Sequence, residues 1–543
     1  MLFNSFTFLI FLPIVFLLYW FVFQKNLKLQ NAFLLLASYV FYAWWDWRFL
    51  GLIIASSAVD YWCGMKMSNG SADSETSLRG TKQSVHEGGR LLQVDPSLRG
   101  TASPDTSGKQ SHNSKDRLLQ VGNDSTDSEN SSNLRNDVNS WFFGRKKFLT
   151  ISLIFNLGLL AFFKYFNFFI DSAADLISAI GFQPHISTLN LILPVGISFY
   201  TFQTLSYSID VYRGNLKPTK DPVAFFTFVA FFPQLVAGPI ERASNLLPQF
   251  FKKREFEYQQ GSDGMKLILW GLFKKMVIAD NCALIVNPIF ENYQTASGLE
   301  LIMGAVLFAF QIYGDFSGYS DIAIGVAKLF GFDLMTNFRT PYFSRDIAEF
   351  WRRWHISLST WFRDYLYIPL GGSRVPKAKA IRNIFIVFLV SGFWHGANWT
   401  FIVWGGIHAA LFIPIFLIGK NRAHLHEGEH LIPSFKEFFQ MALTFSLVCI
   451  AWVFFRADTV GDAWGYLSGI VLRPFMEGFR LSTYILTIVL ISILLLLEWL
   501  MKGELVLSFR KPILRYSSYS MVVGLILFYG VFFNPQDFIY FQF

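Results

Sequence analysis

The chain has little charge for its length. Only 15% of its 543 residues are Asp, Glu, Lys or Arg, whereas 53% are hydrophobic and 18% are aromatic. Soluble domains carry about 25% charged residues, so this composition argues against a soluble protein. Nearly uncharged apolar runs long enough to cross a bilayer recur along the chain, beginning with residues 5–23. The sequence therefore predicts an all-α, polytopic integral membrane protein with roughly 10–12 transmembrane helices.

Cysteine is also scarce. The three cysteines, Cys63, Cys282 and Cys449, are far apart, and none belongs to a CxxC pair. This spacing argues against a disulfide framework and against a thiolate metal site, so no metal and no bound cofactor are predicted.

The formal net charge of +8 comes from short basic clusters between the apolar runs. Such clusters are typical of cytoplasmic loop ends and of contacts with lipid headgroups, so the lipid bilayer is the expected partner and nucleic acid is not. Lys25 and Lys28 follow the first apolar run, which predicts an extracytoplasmic N-terminus. The first residues lack a basic segment and a cleavage site, which indicates a retained first helix.

Residues 68–140 differ abruptly from the rest, because they are rich in Ser, Asp, Asn, Gly and Lys and poor in large apolar side chains. Such a segment buries too little surface to offset its ordering entropy, which predicts a disordered cytoplasmic insertion. It is interpreted as a tolerated insertion or, alternatively, as a tethered interaction segment. The composition thus divides the chain into three regions: N-terminal transmembrane helices in 1–67, the insertion in 68–140, and a membrane core in 141–543.

Two apolar stretches, residues 191–207 and 225–241, are interrupted by Pro, Gly, hydroxyl and amide residues. Non-helical backbone at membrane depth persists only where protein or a water-filled cavity satisfies its polar groups. These stretches are predicted to be broken or re-entrant helices that line a cavity.

Polar and titratable groups concentrate in two blocks around His355 and His395, within otherwise apolar sequence. Ionisable groups at membrane depth are costly, so they indicate a functional site. An imidazole such as that of His395 is suited to take a proton from a hydroxyl in acyl transfer, although a lone buried histidine is more often a hydrogen-bonded core residue. Gly392 and Gly396 are expected to let a ligand approach closely.

Other polar and aromatic residues of these two blocks are also candidates for the functional site. Trp394 and Trp399 are expected to wall the site, and Asn398 to orient an imidazole or a substrate. Arg352 and Arg353 have two open readings, as ligands for the phosphates of a coenzyme A thioester or as interfacial contacts with lipid headgroups.

Outside these blocks, His408 is predicted to pack structurally. Asp315 and Asp321 are expected to have a structural role, paired with hydroxyls and an arginine, with cation binding or proton transfer as the alternative.

Five motifs resemble the membrane-bound O-acyltransferase (MBOAT) family, in particular its alginate O-acetylation branch. They are residues 233–241, 315–321, 350–359, 361–372 and 392–396. The resemblance implies a ring of transmembrane helices around thinner re-entrant helices and a central tunnel. It also implies that His395 is the family's invariant histidine and general base, and that His355 is the second active-site polar residue, with Asn398 or Asp364 nearby to orient the acceptor.

The resemblance further implies a cytoplasmic acyl-CoA donor, acetyl-CoA above all, an extracytoplasmic polysaccharide acceptor and a periplasmic SGNH-type acetyltransferase partner. Three alternatives remain open on the residues alone: transfer of a D-alanyl group or transfer to a lipid or protein, transport of polysaccharide precursors, and a non-catalytic scaffold. Broken helices and buried charge suit transporters as well.

Overall fold

The computed structural model describes residues 1–86, 128–182, 188–189, 191–236, 238–425, 433–476, 478–501, 511–532, 536 and 538–539, and of residues 69–86 and 128–143 it describes only the helical backbone. All regular elements within these ranges are helices. The first ten are α1 (Phe6–Leu17), α2 (Leu27–Asp46), α3 (Leu50–His86), α4 (Ser128–Leu160), α5 (Phe166–Ala179), α6 (Ile197–Arg213), α7 (Pro222–Ala230), α8 (Phe232–Leu235), α9 (Ala243–Leu246) and α10 (Tyr258–Leu272). The others are α11 (Asp280–Glu291), α12 (Gly298–Leu329), α13 (Ile347–Arg353), α14 (Ile356–Phe362), α15 (Lys377–His395), α16 (Trp399–Leu417), α17 (Phe435–Arg456), α18 (Val460–Leu472), α19 (Leu481–Met501) and α20 (Pro512–Tyr529).

Several of these helices are extended by short segments of wider or tighter pitch. The wider, π-helical turns are Leu18–Val22, Ala161–Tyr165, Phe273–Ala279 and Arg363–Tyr367, and the tighter, 3₁₀ turns are Trp47–Phe49, Leu247–Phe251 and Pro341–Phe343. A π-helical turn inserts one extra residue into a helical turn and is found frequently at functional sites. Two of these turns, at Ala161–Tyr165 and Phe273–Ala279, position charged side chains in the interior.

Five helical stretches in the described part of the chain are long and apolar enough to cross a membrane. They are Gly144–Ala179, Gly298–Leu329, Trp399–Leu417, Phe435–Arg456 and Leu481–Met501. Other helices assigned to crossings from the hydropathy pattern are shorter, as in Phe6–Val22, or carry charge, as in α15, which opens with Lys377 and Lys379. The prediction of an all-α polytopic membrane protein is confirmed.

The longest of these stretches corrects one predicted boundary. The sequence predicts two helices, 148–163 and 166–180, joined at Lys164, whereas the structure has one helical stretch of 36 residues, Gly144–Ala179. The helix continues because the π-helical turn Ala161–Tyr165 lies between α4 and α5 without breaking the chain's helical path. Lys164 therefore projects from the middle of a membrane-length helix.

The third helix and the fourth both run into the segment predicted to be disordered. Helix α3 extends to His86 and α4 begins at Ser128, so the backbone of residues 68–86 and 128–140 is helical. The helical register set by the apolar parts of α3 and α4 continues into the polar sequence, since each added residue extends an existing nucleus. The rest of the predicted insertion, residues 87–127, lies outside the described residues.

A buried carboxylate joins α3, α4 and α6 within the membrane region. Asp60 of α3 is fully buried and accepts hydrogen bonds from Ser152, from Asn156 (2.8 Å) and from Ser208 (3.0 Å). Neutral donors thus take the place of a counter-cation, as a buried carboxylate requires some compensation for lost hydration. The contact fixes the relative position of three helices.

The N-terminal helices pack against the same core as the rest of the chain. The Tyr19 hydroxyl donates to the carbonyl of Phe330 (2.9 Å), and the Asn31 amide donates to the carbonyl of Phe250 (2.9 Å). Tyr42 of α2 likewise donates to Val195 (2.9 Å), in the segment that precedes α6. Residues 1–67 therefore contribute to the wall of the core and to the position of the segment before α6.

The two stretches predicted to be broken helices are broken in the structure. Helix α6 starts only at Ile197, after Gly196 in a left-handed conformation (φ 74°), and residues 191–196 before it are not helical. The second stretch is divided into α7 and α8 at Phe231, and residues 238–241 have no regular structure. Glu241 is completely buried and accepts hydrogen bonds from the Met335 amide and from Asn245 (2.8 Å).

Two consecutive lysines in the turn Phe273–Ala279 balance the buried acidic groups. Lys275 pairs with Asp280 and Asp315 (2.8 Å each). Lys274 pairs with Asp321 (3.0 Å) and with Glu498 of α19 (3.2 Å). The structural role predicted for the two aspartates is in keeping with these contacts, but the expected arginine is wrong, because lysines of a neighbouring helix supply the charge.

Candidate active site

His395 is the last residue of α15 and is buried, with 3% of its surface exposed. Aromatic rings surround its imidazole: the ring centroids of Trp394, Trp404 and Phe455 lie 4.9, 5.1 and 5.5 Å away. These rings exclude water from most of the imidazole, and in such surroundings electrostatic interactions are stronger than in bulk solvent. The predicted role of Trp394 as a wall of the site agrees with this position.

His355 lies next to His395, although forty residues separate them in the sequence. Its ring centroid is 6.3 Å from that of His395 and 6.0 Å from that of Trp394, and only 1% of its surface is exposed. The residue precedes α14 and has a left-handed backbone (φ 44°, ψ 54°), which is uncommon for a residue other than glycine. Backbone conformations of this kind are retained where the surrounding contacts enforce them, often at active sites.

The side chain of Asn337 fixes the orientation of His355. Its Oδ1 lies 3.0 Å from the Nδ1 of His355, and it also accepts a hydrogen bond from the Ser357 hydroxyl (3.0 Å). The Ser357 main-chain amide donates to the same oxygen (3.3 Å), which establishes which end of the Asn337 amide carries the oxygen, and Nδ2 donates to the Ser320 hydroxyl (3.1 Å). Because Oδ1 only accepts, Nδ1 of His355 carries the proton, and in the neutral ring Nε2 carries the lone pair.

This network also connects three of the five motifs identified in the sequence, 233–241, 315–321 and 350–359. Ser357 accepts a hydrogen bond from the Ile240 amide (3.0 Å), at the end of the broken stretch 225–241. The main chain of Asn337 accepts from the Ile356 amide (2.9 Å) and so pins the strained backbone at His355. Sequence reasoning missed Asn337, since a lone asparagine after a Gly- and Asp-containing turn has no pattern that distinguishes it.

A cavity of about 230 Å³ opens beside His395. It is lined by Trp45, Lys164, residues 192–199, Trp394 and His395. Part of its wall is the non-helical segment 192–196 before α6, in the stretch where cavity-lining irregular backbone was predicted. A space of this size accommodates a small polar group next to His395 and is below the range of about 300–1,000 Å³ typical of pockets for whole drug-sized ligands.

Gly392 and Gly396 serve helix packing in the structure, which corrects the prediction that they admit a ligand. A Cβ atom on Gly392 would lie 2.1 Å from the main-chain oxygen of Phe401, and one on Gly396 would lie 2.0 Å from the Phe401 ring. The absence of side chains at both positions lets α16 pack directly against the end of α15. The glycines thus determine where His395 lies relative to Trp404 of α16.

Three further predicted site residues make contacts that differ from the predicted ones. Asn398 caps α16 by accepting from the Thr400 amide (3.1 Å), and its amide group donates to the Asp458 carbonyl (2.8 Å). Trp399, expected to wall the site, is 55% exposed, because the turn into α16 directs it outward. Asp364 pairs with Arg242 at 3.3 Å.

The two adjacent arginines are half-buried and already have partners within the protein. Arg352 donates to the carbonyls of Asn421 (2.7 Å) and His424 (3.1 Å), just after α16. Arg353 forms an ion pair with Glu349 at 2.8 Å. Phosphate binding by either arginine would require an exchange of these contacts.

His408 is fully buried in α16 and accepts a hydrogen bond from the Trp351 indole (3.3 Å). Its ring stacks against Phe350 at 6.1 Å, and Trp404 lies 4.8 Å away on the same helix. These contacts agree with the predicted packing role. Among the described residues, no group of three or more His, Cys, Asp or Glu side chains is placed to hold a metal ion.

The chain matches known proteins over most of its length. Residues 217–439 match the family model of the MBOAT, membrane-bound O-acyltransferase family. A probable alginate O-acetylase of Azotobacter vinelandii is 36% identical over 461 residues, which is 85% of this chain and 76% of that protein. A peptidoglycan O-acetyltransferase of Helicobacter pylori is 34% identical over 500 residues, 87% of this chain and 80% of that protein.

A teichoic acid D-alanyltransferase of Bacillus subtilis is more distant, with 31% identity over 243 residues, 42% of this chain and 60% of that protein. The matched family region contains His355 and His395, whose ring centroids lie 6.3 Å apart. With relatives above 30% identity that it covers by more than two thirds, the chain belongs to the membrane-bound O-acyltransferase family and is a multi-pass membrane O-acyltransferase.

Proposed function

We propose that the protein transfers an acetyl group from cytoplasmic acetyl-CoA across the plasma membrane, for O-acetylation of an extracytoplasmic polysaccharide. The observation that carries the proposal is the pair of buried imidazoles, with ring centroids 6.3 Å apart, beside a cavity that His395 lines. Two rings at this separation are able to contact one reacting group between them. The family membership and the names of the two close relatives support O-acetylation as the reaction.

His395 is the general base in this mechanism. As the acceptor hydroxyl attacks the thioester carbonyl, its proton passes to the imidazole, a C–O bond forms and the C–S bond breaks. The proton then passes from the imidazolium to the departing thiolate, which leaves as the free thiol of coenzyme A. A positioned base of this kind contributes about 10²- to 10⁴-fold to the rate of proton transfer reactions.

His355 has the complementary role of orienting the acceptor or stabilising developing charge. Its Nδ1–H donates to the oxygen of Asn337, at 3.0 Å, so the proposed contact with a substrate is made through Nε2. A neutral Nε2 accepts a hydrogen bond from the acceptor hydroxyl, and a protonated one donates to the oxyanion of the tetrahedral intermediate.

The position of the cavity supports entry of the acceptor from the extracytoplasmic side. Trp45 lies at the end of α2 and lines the cavity, whereas Lys25 and Lys28 flank the start of the same helix. If the positive-inside rule places the start of α2 in the cytoplasm, its end and the cavity face outward. An extracytoplasmic N-terminus follows from the same orientation.

The donor enters from the opposite side in this proposal. Arg352 lies beside Asn421, beyond the C-terminal end of α16, and this helix begins at Trp399 next to His395. In this proposal Arg352 and Arg353 face the cytoplasm, where the phosphates of acetyl-CoA would replace their present partners. Transfer to the polysaccharide proceeds directly or through a periplasmic SGNH-type acetyltransferase.

Acetyl transfer is tested with membranes that contain the protein and radiolabelled acetyl-CoA, followed by separation of polymer, lipid and protein fractions. We expect label in polymer or in a periplasmic protein, dependent on the presence of the chain. Membranes without the chain are the control. Label confined to lipid would contradict the proposed acceptor, and transfer from a D-alanyl carrier but not from acetyl-CoA would favour the activity named for the more distant relative.

A second prediction concerns the orientation of His355. The Asn337→Leu variant keeps the size of the side chain but removes the acceptor of the hydrogen bond from His355 Nδ1–H. We expect kcat to decrease about 10- to 100-fold, because a displacement of a reacting group by about 1 Å lowers the rate by up to about 100-fold. The measurement is turnover of labelled acetyl-CoA per amount of folded protein.

The matched control for this variant is Asn31→Leu. Asn31 is also buried and also bridges two segments, through its hydrogen bond to Phe250, but it belongs to α2. We expect Asn31→Leu to lower thermal stability and to leave kcat per folded molecule unchanged. Equal kcat values for the Asn337 and Asn31 variants would remove Asn337 from the mechanism.

A further inference from the structure

The C-terminal end of α15 has an unusually complete set of hydrogen-bond partners. A helix leaves its last four carbonyl groups without partners inside the helix, and in a water-poor interior each one needs a donor. In α15 these are the carbonyls of the four residues Gly392, Phe393, Trp394 and His395. The end of this helix is also the catalytic end, because His395 is its last residue.

The four carbonyls are all satisfied, and three of them by two adjacent side chains. Lys164 Nζ donates to the carbonyls of Trp394 (2.9 Å) and His395 (2.8 Å). The Tyr165 hydroxyl donates to the carbonyl of Phe393 (2.9 Å), and its ring stacks on the Phe393 ring at 4.1 Å. The remaining carbonyl, that of Gly392, accepts from the Gly396 amide (3.4 Å).

The geometry of the long helix Gly144–Ala179 explains how two consecutive residues reach the same target. In a regular α-helix, neighbours in the sequence point about 100° apart. Lys164 and Tyr165 lie in the π-helical turn Ala161–Tyr165, where the backbone is locally wider. Turns of this kind are retained mainly where a function requires the altered side-chain directions.

We infer that Lys164 and Tyr165 are positioning residues for His395, which clamp the end of α15 so that the imidazole faces the cavity. The inference rests on the proposed role of His395 as the base. Lys164 holds the main chain at this point because it donates to the carbonyl of His395 itself. A displacement of Lys164 would therefore move the residue that carries the imidazole. The positive charge of Lys164 also lies at the C-terminus of a helix, where the helix dipole favours a cation.

Lys164 has a second relation to the site, since it lines the cavity together with His395. Its ammonium group is 5.9 Å from the centroid of the Trp394 ring, within the range of a cation–π contact. The lysine therefore connects the wall of the cavity, the helix end and the base in one set of contacts.

The test compares Lys164→Met with Lys164→Arg in purified protein. Met keeps the apolar stem but removes the ammonium group, so we expect kcat to fall about 10- to 100-fold with the KM for acetyl-CoA changed less than about twofold, because positioning is lost while the donor site is intact. Arg keeps a charged multiple donor and is expected to restore kcat to within about fivefold of wild type. A Met variant with kcat within about twofold of wild type would overturn the inference.

The hydroxyl of Tyr165 is tested separately with Tyr165→Phe. This variant keeps the stack on Phe393 and removes one of the three side-chain hydrogen bonds, so we expect a smaller decrease in kcat, about two- to fivefold. A decrease larger than that of Lys164→Met would contradict the assignment of the main clamp to the lysine.

Arg145→Met is the matched control. Arg145 caps the C-terminal end of α6 in the same manner, with hydrogen bonds to the carbonyls of Val211 (2.8 Å) and Tyr212 (3.0 Å). If helix capping alone matters, both Met variants lose thermal stability and neither loses kcat per folded molecule, which would overturn the inference. The expected result is a loss of stability in both and a loss of kcat only at Lys164.

A readout independent of turnover separates this inference from the proposed function. The rate at which diethyl pyrocarbonate modifies His395, followed by mass spectrometry, is expected to change at least about threefold in Lys164→Met and to stay at the wild-type value in Arg145→Met. If wild-type protein transfers no acetyl group, the proposed function fails, whereas the clamp is still supported by a changed modification rate or overturned by an unchanged one.

Discussion

Replacement of His395 with alanine is expected to lower the kcat of acyl transfer about 100- to 10,000-fold, the contribution of a positioned general base. Without the imidazole, no described side chain at this end of α15 takes the acceptor proton in the proposed mechanism. The protein is expected to remain folded, because the imidazole contributes one ring to an aromatic cluster that retains Trp394, Trp404 and Phe455. The measurement is transfer of label from acetyl-CoA, with the amount of folded protein determined by fluorescence-detected gel filtration.

His408→Phe provides the control for a buried histidine without a chemical role. Its side chain is as buried as that of His395 and lies in the same aromatic cluster, through Trp404. We expect this variant to lose the hydrogen bond from Trp351 and some stability, with kcat within about threefold of wild type. If the His395→Ala variant transferred acyl groups at the wild-type rate, at matched protein levels, His395 would be excluded as the base. A transporter or scaffold function would then be favoured.

The second large expected effect is a loss of stability when Lys275 is replaced. The Lys275→Met variant leaves the carboxylates of Asp280 and Asp315 buried without their shared cation, from which both lie 2.8 Å away. Removal of one partner from a buried ion pair destabilises a protein by about 3–5 kcal/mol. Because that amount is a large part of the stability of most proteins, we expect Lys275→Met to yield little folded protein in detergent. The measurement is the thermal unfolding midpoint together with the yield of monodisperse protein.

A compensating variant distinguishes charge imbalance from loss of packing. Lys275→Met combined with Asp280→Asn and Asp315→Asn removes the cation and both anions, so we expect most of the lost stability to return. The Ile539 amide, which donates to Asp315 at 2.6 Å, retains an acceptor in the asparagine oxygen. A triple variant as unstable as Lys275→Met would show that the lysine acts through its packed stem and not through its charge.

The sequence predicts a functional role for His355 and His395, because each lies in a block of polar and small residues within otherwise apolar, membrane-like sequence. It also predicts the break before α6, since Pro194 and Gly196 interrupt an otherwise helical apolar run. Both features depend on local composition and on the cost of polar groups in lipid. They do not require knowledge of which helices are neighbours.

Other features of the site depend on contacts between distant segments and were not accessible from the pattern. The sequence predicts that Lys164 lies at a junction between two helices, because a charged residue within an apolar stretch usually marks a helix end. Its role becomes visible only when α15 is placed beside it, 231 residues later in the chain. The roles of Asn337, Gly392 and Gly396 could not be predicted for the same reason. Each role depends on a hydrogen bond or a close contact with a residue whose position the sequence pattern does not give.

The buried carboxylate of Asp60 has a consequence for the long connection between α3 and α4. Because Asp60 fixes α3 to Ser152 and Asn156 of α4 within the membrane region, the two ends of the connection are held by the core. The length of the chain between them then enters folding mainly through the entropy of closing a loop, at about 0.6 kcal/mol for each doubling. Changes in the length of this connection are therefore expected to cost the rest of the molecule little stability.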